Sequence, residues 1–259
     1  MADTSAEAGV LIERRDAVLL VTIDRPHVRN ALTEPSAARL AAAWDLLDSD
    51  EGLRVGVLTG SGGTFCSGRD LKAALHGDHP WIEGRGFAGT VERGPAKPLV
   101  AAVEGHALGG GFEIVLACDL VVAGASAVFG LPEVTRGRIA GAAGLNRLAQ
   151  RIPFNRAVEI GLTGRQVPAR ELHELGLINQ VVADGDAVEA ALDLAARIAG
   201  NAPLAVRAST GVLRAARDWA DSELFARLEP IASLIRQSED AREGALAFAQ
   251  KRAPRWSGR

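Results

Sequence analysis

Residues 103–113, Val103-Glu104-Gly105-His106-Ala107-Leu108-Gly109-Gly110-Gly111-Phe112-Glu113, constrain this chain more than any other stretch. Three consecutive glycines separate an apolar run from a segment of helical character. The apolar run, residues 99–103, has the length and β-branched content of a strand. Glycine adopts torsions that other residues resist, and it leaves the backbone bare enough for a ligand to approach. Residues 112–117 read as a helix. A helix that opens on a glycine turn presents unpaired N–H groups and the positive end of its dipole. Glu113 follows Gly110 by three positions, about one turn along the same face. A backbone that stabilises negative charge therefore stands beside a carboxylate.

The remaining composition narrows what such a site could serve. The 259 residues fit one large domain, or a domain with an appended subdomain. A 47% hydrophobic and 24% charged chain buries a sizeable core. The net charge of −3 and the lack of a dense Lys/Arg run argue against nucleic acid. No apolar run is long enough to span a membrane. Residues 1–9 are small and acidic, without the basic and apolar regions of a signal peptide. Two cysteines, Cys66 and Cys118, make neither a disulfide framework nor a four-thiolate metal site, so a reducing cytoplasm is the expected location. The five histidines have no metal-ligand spacing, and no tyrosine is present to act as a general acid.

Periodicity divides the chain into a strand-rich first part and a helical last part. Residues 10–15 and 18–23 read as a hairpin turning at Asp16 and Ala17. Pro26 ends the second strand, and Thr33 is the expected N-cap of a helix whose buried face carries Leu40, Trp44 and Leu47. A buried-type strand at residues 55–59 leads into a second glycine loop, Gly60-Ser61-Gly62-Gly63-Thr64-Phe65-Cys66-Ser67-Gly68-Arg69-Asp70-Leu71. Residues 73–98 read as an irregular, mobile segment with one helix over residues 87–93. Strands are expected at 120–123, 127–129 and 178–182, and helices at 142–151, 154–162 and 169–175. Strand, glycine turn, helix and strand thus occur twice. From Asp186 onward the pattern is helical almost throughout. Leu224, Leu228, Ile231 and Ile235 share one face, and Ser238, Glu239 and Asp240 open a final helix that ends near Lys251 and Arg252. Helical appendages of this kind often pack against neighbouring subunits.

Three local features could build one site: residues 65–71, residues 109–113, and Phe129-Gly130-Leu131-Pro132-Glu133. Each has an ordinary explanation when taken alone. A glycine loop is usually a tight turn, and a glutamate in the first turn of a helix usually answers the dipole. Together they allow a specific chemistry. Two carboxylates in one cleft divide acid and base work, because burial and like charge push their pKa values apart. Two N–H groups from separate glycine turns hold a developing oxyanion.

Taken with Arg25-Pro26, Asn30-Ala31-Leu32, the stretch around Asp119 and the C-terminal Lys251-Arg252-Ala253-Pro254-Arg255-Trp256, these motifs resemble the crotonase (enoyl-CoA hydratase/isomerase) superfamily over residues 10–256. The resemblance implies an α/β fold, a crotonase-like spiral of repeated ββα units, with a C-terminal helical region that mediates trimers, usually stacked as hexamers. The division it implies is a core of residues 1–195 and an oligomerisation region of residues 196–259. It also implies an acyl-CoA thioester substrate that itself carries the coenzyme A, with no metal and no further cofactor. By the same resemblance the backbone N–H groups of Arg69 and Gly110 form the oxyanion hole, and Glu113 and Glu133 are the catalytic carboxylates. Val28, Ser67, Asp70 and Leu71 lie against the CoA, while Phe248 and Lys251 reach the CoA of a neighbouring subunit. For Phe248, plain core packing is the alternative.

Members that keep both glutamates hydrate a conjugated enoyl thioester. In that reading Glu113 and Glu133 hold one water, Glu113 helps to take its proton, and Glu133 delivers a proton to the α carbon. Removing one oxyanion donor from such a site costs about 3–4 kcal/mol. A double-bond isomerase on the same scaffold and a non-catalytic acyl-CoA-binding protein are the alternatives. A serine hydrolase would need a Ser–His pair, and Ser67 and His106 do not suggest one. Hydratases often carry a proline and a Gly-Gly pair after the second glutamate. Here the stretch is Arg138-Ile139-Ala140-Gly141-Ala142-Ala143-Gly144, which leaves the preferred acyl group open. Trp81 and Phe87 are expected to wall the acyl pocket.

Overall fold

A computed structural model describes residues 8–216 and 218–259. Residues 1–7 of the small, acidic N-terminal stretch lie outside them. The strands are β1 (Val10–Arg15), β2 (Val18–Ile23), β3 (Val55–Gly60), β4 (Trp81–Ile82), β5 (Gly86–Phe87), β6 (Leu99–Val103), β7 (His106–Leu108), β8 (Leu120–Gly124), β9 (Val128–Gly130), β10 (Val167–Pro168) and β11 (Gln180–Val182). The α-helices are α1 (Glu34–Ser49), α2 (Leu71–Ala74), α3 (Gly110–Ala117), α4 (Gly144–Arg151), α5 (Phe154–Thr163), α6 (Ala169–Glu174), α7 (Ala187–Ala199), α8 (Pro203–Ala215), α9 (Leu224–Gln237) and α10 (Glu239–Ala249).

The main sheet runs β1-β2-β3-β6-β8-β11, antiparallel at the β1–β2 hairpin and parallel elsewhere. Parallel strands covered on both faces should be apolar throughout, and β3 and β6 are buried along almost their whole length. Alternate residues serve different cores. Leu19, Val21, Leu58, Leu99, Ala101 and Val103 face the layer that contains Leu40, Trp44 and Leu47 of α1. Val18, Leu20, Val55, Val57, Val100, Ala102 and Val122 face α7. That helix meets the sheet through Ala187, Ala191, Ala195 and Ala199, a stripe with a period of four. Small side chains at this spacing let a helix axis lie close to a sheet. Helix α7 is thus part of the core, and residues 195 and 196 both lie inside it.

The spiral follows from what each main-sheet strand does next. After β6 the chain turns into β7, then α3; after β8 it turns into β9, then a 3-10 helix at Pro132–Arg136. Strands β10, β9 and β7 form a second, three-stranded sheet. Earlier turns reach this second wall by single bridges, Cys66 with Ala107 and Leu32 with Arg69, before entering α2 and α1 respectively. Each turn therefore supplies a strand to one wall, a strand or bridge to the other, and then a helix.

Asn30 fastens two of these turns. It is fully buried in a left-handed conformation (φ 56°). Its Oδ1 accepts the Arg25 N–H at 2.8 Å, and its Nδ2 donates to the carbonyls of Ser61 (2.9 Å) and Thr64 (2.6 Å). The Arg25 guanidinium donates to the Ala31 carbonyl and pairs with Asp70 at 3.3 Å. The motif around Arg25 and Asn30 is thus a buckle between the first loop and the glycine loop.

The structure departs from the sequence pattern at several places. No helix forms over residues 87–93. Gly86, Ala88 and Gly89 all have positive φ, which breaks any helical run, and the short β4–β5 hairpin is followed by turns and bends instead. The segment is also packed: Phe87, Ala88, Thr90 and Val91 are buried, and Trp44 Nε1 donates to Thr90 Oγ1 at 2.8 Å. Thr33 occupies the N-cap position of α1, but its hydroxyl accepts no backbone N–H there. The Glu34 N–H donates to Asp78 Oδ2 instead, at 3.0 Å. Helix α4 begins at Gly144, two residues later than expected, because the 142–144 turn is occupied by Glu113 as described below. Ser238 caps α10 as expected, accepting the Ala241 N–H at 3.0 Å. Phe248 is 88% exposed, which overturns core packing for it within one chain. No helix of the described residues is long and apolar enough to cross a membrane.

Replacing Asn30 with alanine removes three hydrogen bonds and leaves two half-buried carbonyls without that donor, and should lower unfolding free energy by about 3 kcal/mol. Denaturant titration of Asn30→Ala with an unchanged m-value would check this.

Candidate active site

A cavity of about 890 Å³ opens between the two glycine loops and the 132–142 segment. Val28, Ser67, Arg69, Asp70, Leu71, Gly110, Glu113 and Glu133 all line it, so the fold brings together eight of the nine sequence-derived site residues. Lys251 is not among its lining; it follows the last turn of α10 and is exposed. Trp81 and Phe87 form part of the wall, with ring centroids 5.7 Å apart. Ser67 lines the cavity, whereas His106 is exposed and does not, so they form no nucleophile–base pair. A larger cavity of about 1190 Å³ lies between the 90–98 segment, α4 and α8. Two of the charged groups there are already engaged with each other: Arg214 pairs with Asp119 at 2.6 Å, and Asp119 also accepts the Leu99 N–H. The smaller cavity is the one that combines free backbone donors with the Glu113 and Glu133 carboxyl groups.

Those donors arise from the local backbone. Leu32 and Arg69 form a parallel bridge, in which the Leu32 N–H donates to Gly68 and the Asp70 N–H donates to Leu32. This pattern turns the N–H of Arg69 itself to the opposite side. Gly110 opens α3, so its N–H has no carbonyl one helical turn back. Neither N–H has a protein acceptor among the described residues. Each follows a glycine with positive φ, Gly68 at 93° and Gly109 at 56°. The two loops are also in close contact: a β carbon at Gly68 would lie 2.9 Å from the Gly110 nitrogen.

The two carboxyl groups have contrasting surroundings. Glu113, on α3, is 4% exposed. Its Oε1 accepts the N–H of Ala142 at 2.7 Å and of Gly144 at 3.0 Å. Ala143, between them, sits at φ 64°, an uncommon conformation for a residue with a β carbon. Burial pushes the Glu113 carboxyl above the ordinary range. The Gly144 and Ala142 N–H groups oppose this, the Glu133 charge adds to it, and Arg147 opposes it. Glu133 lies in the 3-10 helix, against Gly109, where a β carbon would come within 3.1 Å of its Oε1. Its Oε2 is buried without a hydrogen-bond partner. Burial raises this carboxyl too, with its own backbone N–H and Arg136 only partly offsetting the rise.

Asp70 has a different part. It caps α2, accepting the Lys72 and Ala73 N–H groups at 3.1 Å each, and pairs with Arg25. Burial opposes its charge, but the Ala73 N–H, Arg25 and the Lys72 N–H outweigh burial and hold its carboxyl below the usual range. Five cationic side chains (Arg29, Arg69, Lys72, Arg136, Arg138) line the cavity against three carboxyl groups, which favours an anionic ligand. The sequence reading did not single out the Ala142 and Gly144 N–H groups. Their signal was the glycine- and alanine-rich turn before α4. Both cysteine thiols are buried and pushed up to about 12, chiefly by burial. No group of three or more His, Cys, Asp or Glu among the described residues could hold a metal ion.

A carboxyl whose pKa is higher folded than unfolded binds its proton more tightly in the folded chain. Its contribution to stability is then lost as pH rises through the folded-state value. Glu113→Gln keeps an oxygen for both N–H groups and removes the buried charge. It should melt at a higher temperature than the native protein at about pH 7, with the gain fading as pH falls through the raised folded-state value and gone below the ordinary glutamate value of about 4.3. Calorimetry across that range checks the sign.

Known proteins share the sequence pattern and the fold along nearly the whole chain. The chain matches the enoyl-CoA hydratase/isomerase family over residues 13–259. It is 41% identical over 266 residues to enoyl-CoA hydratase EchA19 of Mycobacterium tuberculosis (strain ATCC 25618 / H37Rv), with 100% of both chains covered. It is 36% identical over 260 residues to 2,3-dehydroadipyl-CoA hydratase of Escherichia coli (strain K12), covering 96% of this chain and 99% of that one. The crystal structure of an enoyl-CoA hydratase from Mycobacterium tuberculosis H37Rv superposes with a TM-score of 0.95 at 49% identity, covering 97% of this chain and 100% of the other. The spiral, the paired glycine turns and the match along nearly the whole length lead to one conclusion: the chain belongs to the enoyl-CoA hydratase/isomerase family, the crotonase superfamily.

Proposed function

We propose that this protein is an enoyl-CoA hydratase, a hydro-lyase that adds water reversibly across the 2,3 double bond of a 2-enoyl-CoA thioester to give the 3-hydroxyacyl-CoA. The observation that carries the reading is the pair Glu113 and Glu133 in one cavity with two unpaired backbone N–H groups. The thioester carbonyl accepts from Arg69 N–H and Gly110 N–H. As negative charge develops on that oxygen, fixed donors stabilise it without reorganisation. The β carbon thereby becomes electrophilic and the α carbon basic enough to take a proton.

The surroundings of the two carboxyl groups favour a division of labour. Glu113 has two N–H donors on one oxygen and Arg147 nearby, which favour its charged form. Glu133 has a buried oxygen with no partner, which a neutral carboxyl tolerates better than an anion. Glu113 then takes a proton from the water whose oxygen bonds to the β carbon, and Glu133 gives its proton to the α carbon. The two titrate as a pair, and proton return between them resets the site. No cofactor is needed beyond the coenzyme A of the substrate. The cationic lining near Val28, Ser67, Asp70 and Leu71, supplied by Arg29 and Lys72, suits the phosphates of that group.

A homotrimer, or a dimer of trimers, fits the C-terminal helices. Helix α9 has no buried residue in the single chain, and Leu213, Phe225, Leu234 and Phe248 stand exposed. In such an assembly Lys251 and Phe248 would reach the CoA of a neighbouring copy. We place the enzyme in the cytoplasm, in keeping with two buried, unpaired thiols.

The test of activity is loss of the conjugated-thioester absorbance across short, medium, long, branched and polar 2-enoyl-CoAs. Turnover with at least one is expected, and none with any would sink the assignment. Glu113→Gln and Glu133→Gln should each lower kcat by about 10²–10⁴-fold. An isomerase would instead keep most activity in Glu113→Gln. Light scattering should give three or six times the 27.0 kDa chain mass; a monomer would refute the assembly.

A further inference from the structure

The position of Glu113 depends on a turn that is itself held by a charged side chain. The Ala142 N–H donates to Glu113 Oε1, while the Ala142 carbonyl accepts from Arg147 Nη1 at 3.3 Å. The other arm of the same guanidinium, Nη2, donates to the carbonyl of Val91. Val91 belongs to the buried segment that follows Phe87 of the cavity wall. Arg147 therefore joins the cradle of the carboxylate to the aromatic wall facing it. The turn needs such a hold, because Ala143 at its centre occupies a left-handed conformation that disfavours a β carbon.

We propose that Arg147 is a positioning residue for Glu113: its two-armed guanidinium locks the 142–144 turn so that both N–H groups meet the carboxylate, and presents a positive charge behind it. This rests on the hydratase reading only for its effect on turnover. The charged groups around Glu113 come from two elements, Glu133 in the 3-10 helix and Arg147 in α4. Cys118, beneath α3, adds no opposing charge because burial keeps its thiol protonated. Removing the guanidinium therefore leaves the buried Glu113 with no cation to favour its charged form. The anion becomes harder to form, and the turn is freer to move.

Two variants separate charge from geometry. Arg147→Gln removes the charge; Arg147→Lys keeps it, but a single ammonium cannot span both carbonyls in the same way. The readouts are the Glu113 titration, followed by ¹³C NMR of the full chain labelled at glutamate carboxyls and assigned by its loss in Glu113→Gln, and the pH profile of kcat. In Arg147→Gln the Glu113 titration and the acidic limb of kcat should both move to higher pH. Its kcat should fall by about 100-fold, the scale of a misplaced catalytic group, with much less change in KM. In Arg147→Lys the titration should stay near the native position while kcat falls by about tenfold. A folded Arg147→Gln whose Glu113 titrates at the native pH would overturn the proposal. So would a native kcat in Arg147→Lys, which decides the matter even if Arg147→Gln does not fold. A native protein that titrates as described but turns over no enoyl thioester would sink the hydratase reading and leave this one standing.

Discussion

The close approach of two backbone segments, residues 66–69 and 108–111, sets the geometry of everything around it. A β carbon at Gly111 would lie 2.0 Å from the Cys66 carbonyl oxygen, a separation no side chain can occupy. The approach is pinned by Leu108 N–H donating to Cys66 at 3.0 Å and by Cys66 N–H donating to His106 at 3.0 Å. Two donors from different turns of the spiral thereby come side by side without any side chain being responsible. For the proposed oxyanion site this arrangement has a physical advantage, since backbone donors cannot swing away as side chains can. It also explains why the glycines lie where they do. Gly68 and Gly109 take torsions that aim the next N–H, and Gly111 clears the space.

The carboxyl groups are built on this frame by opposite means. Glu113 is held by backbone N–H groups from a turn 29 to 31 residues later in the chain. Its position is thus a tertiary property, maintained by α4 and by Arg147. Gly144 is required there for a steric reason, because a β carbon would come within 2.7 Å of Glu113 Cγ. Glu133 is under-bonded, and the cost of its unpaired oxygen is borne by the rest of the fold. A site with two buried carboxyls raised above their ordinary range is destabilising for the folded chain. Such a cost is common where catalytic groups sit.

Much of this was legible in the sequence because it depends on local rules. The hairpin Val10–Arg15 and Val18–Ile23, the buried face of α1 and the parallel strand Leu99–Val103 all announce themselves by period and by apolar run. The glycine turns could be found because only glycine tolerates their torsions. Short elements were less visible. Strands β7 and β10, with three and two residues, carry no periodicity at all and exist because the spiral brings partners to them. The 87–93 segment forms no helix because Ala88 and Gly89 take positive φ, and Gly89 packs against α1, where a β carbon would meet the Ala37 carbonyl at 2.5 Å. Long-range hydrogen bonding was invisible for the same reason. Nothing near Asn30 in sequence shows that its amide spans to Ser61 and Thr64.

The division between a core and a helical appendage is sharper physically than by residue number. Helix α7 uses alanine at every fourth position to lie flat on the main sheet, and its residues reach the same core as Val57 and Val100. Helices α8 and α9 contain no buried residue in the single chain, although they carry leucine, isoleucine and phenylalanine. The two kinds of helix differ in what completes them. An alanine stripe needs a flat partner at short range and finds it within the chain. Large side chains such as Phe225, 84% exposed, and Phe248 project from the chain and lose water contact only against another surface. Phe248 and Lys251 are both exposed and lie three residues apart, joined by the Lys251 N–H donating to the Phe248 carbonyl at 3.2 Å, so a surface at this end of α10 has both within reach. If that surface is the CoA end of a second copy, assembly and substrate binding are coupled through one helix terminus. The cationic character of the cavity would then be completed only in the assembled enzyme.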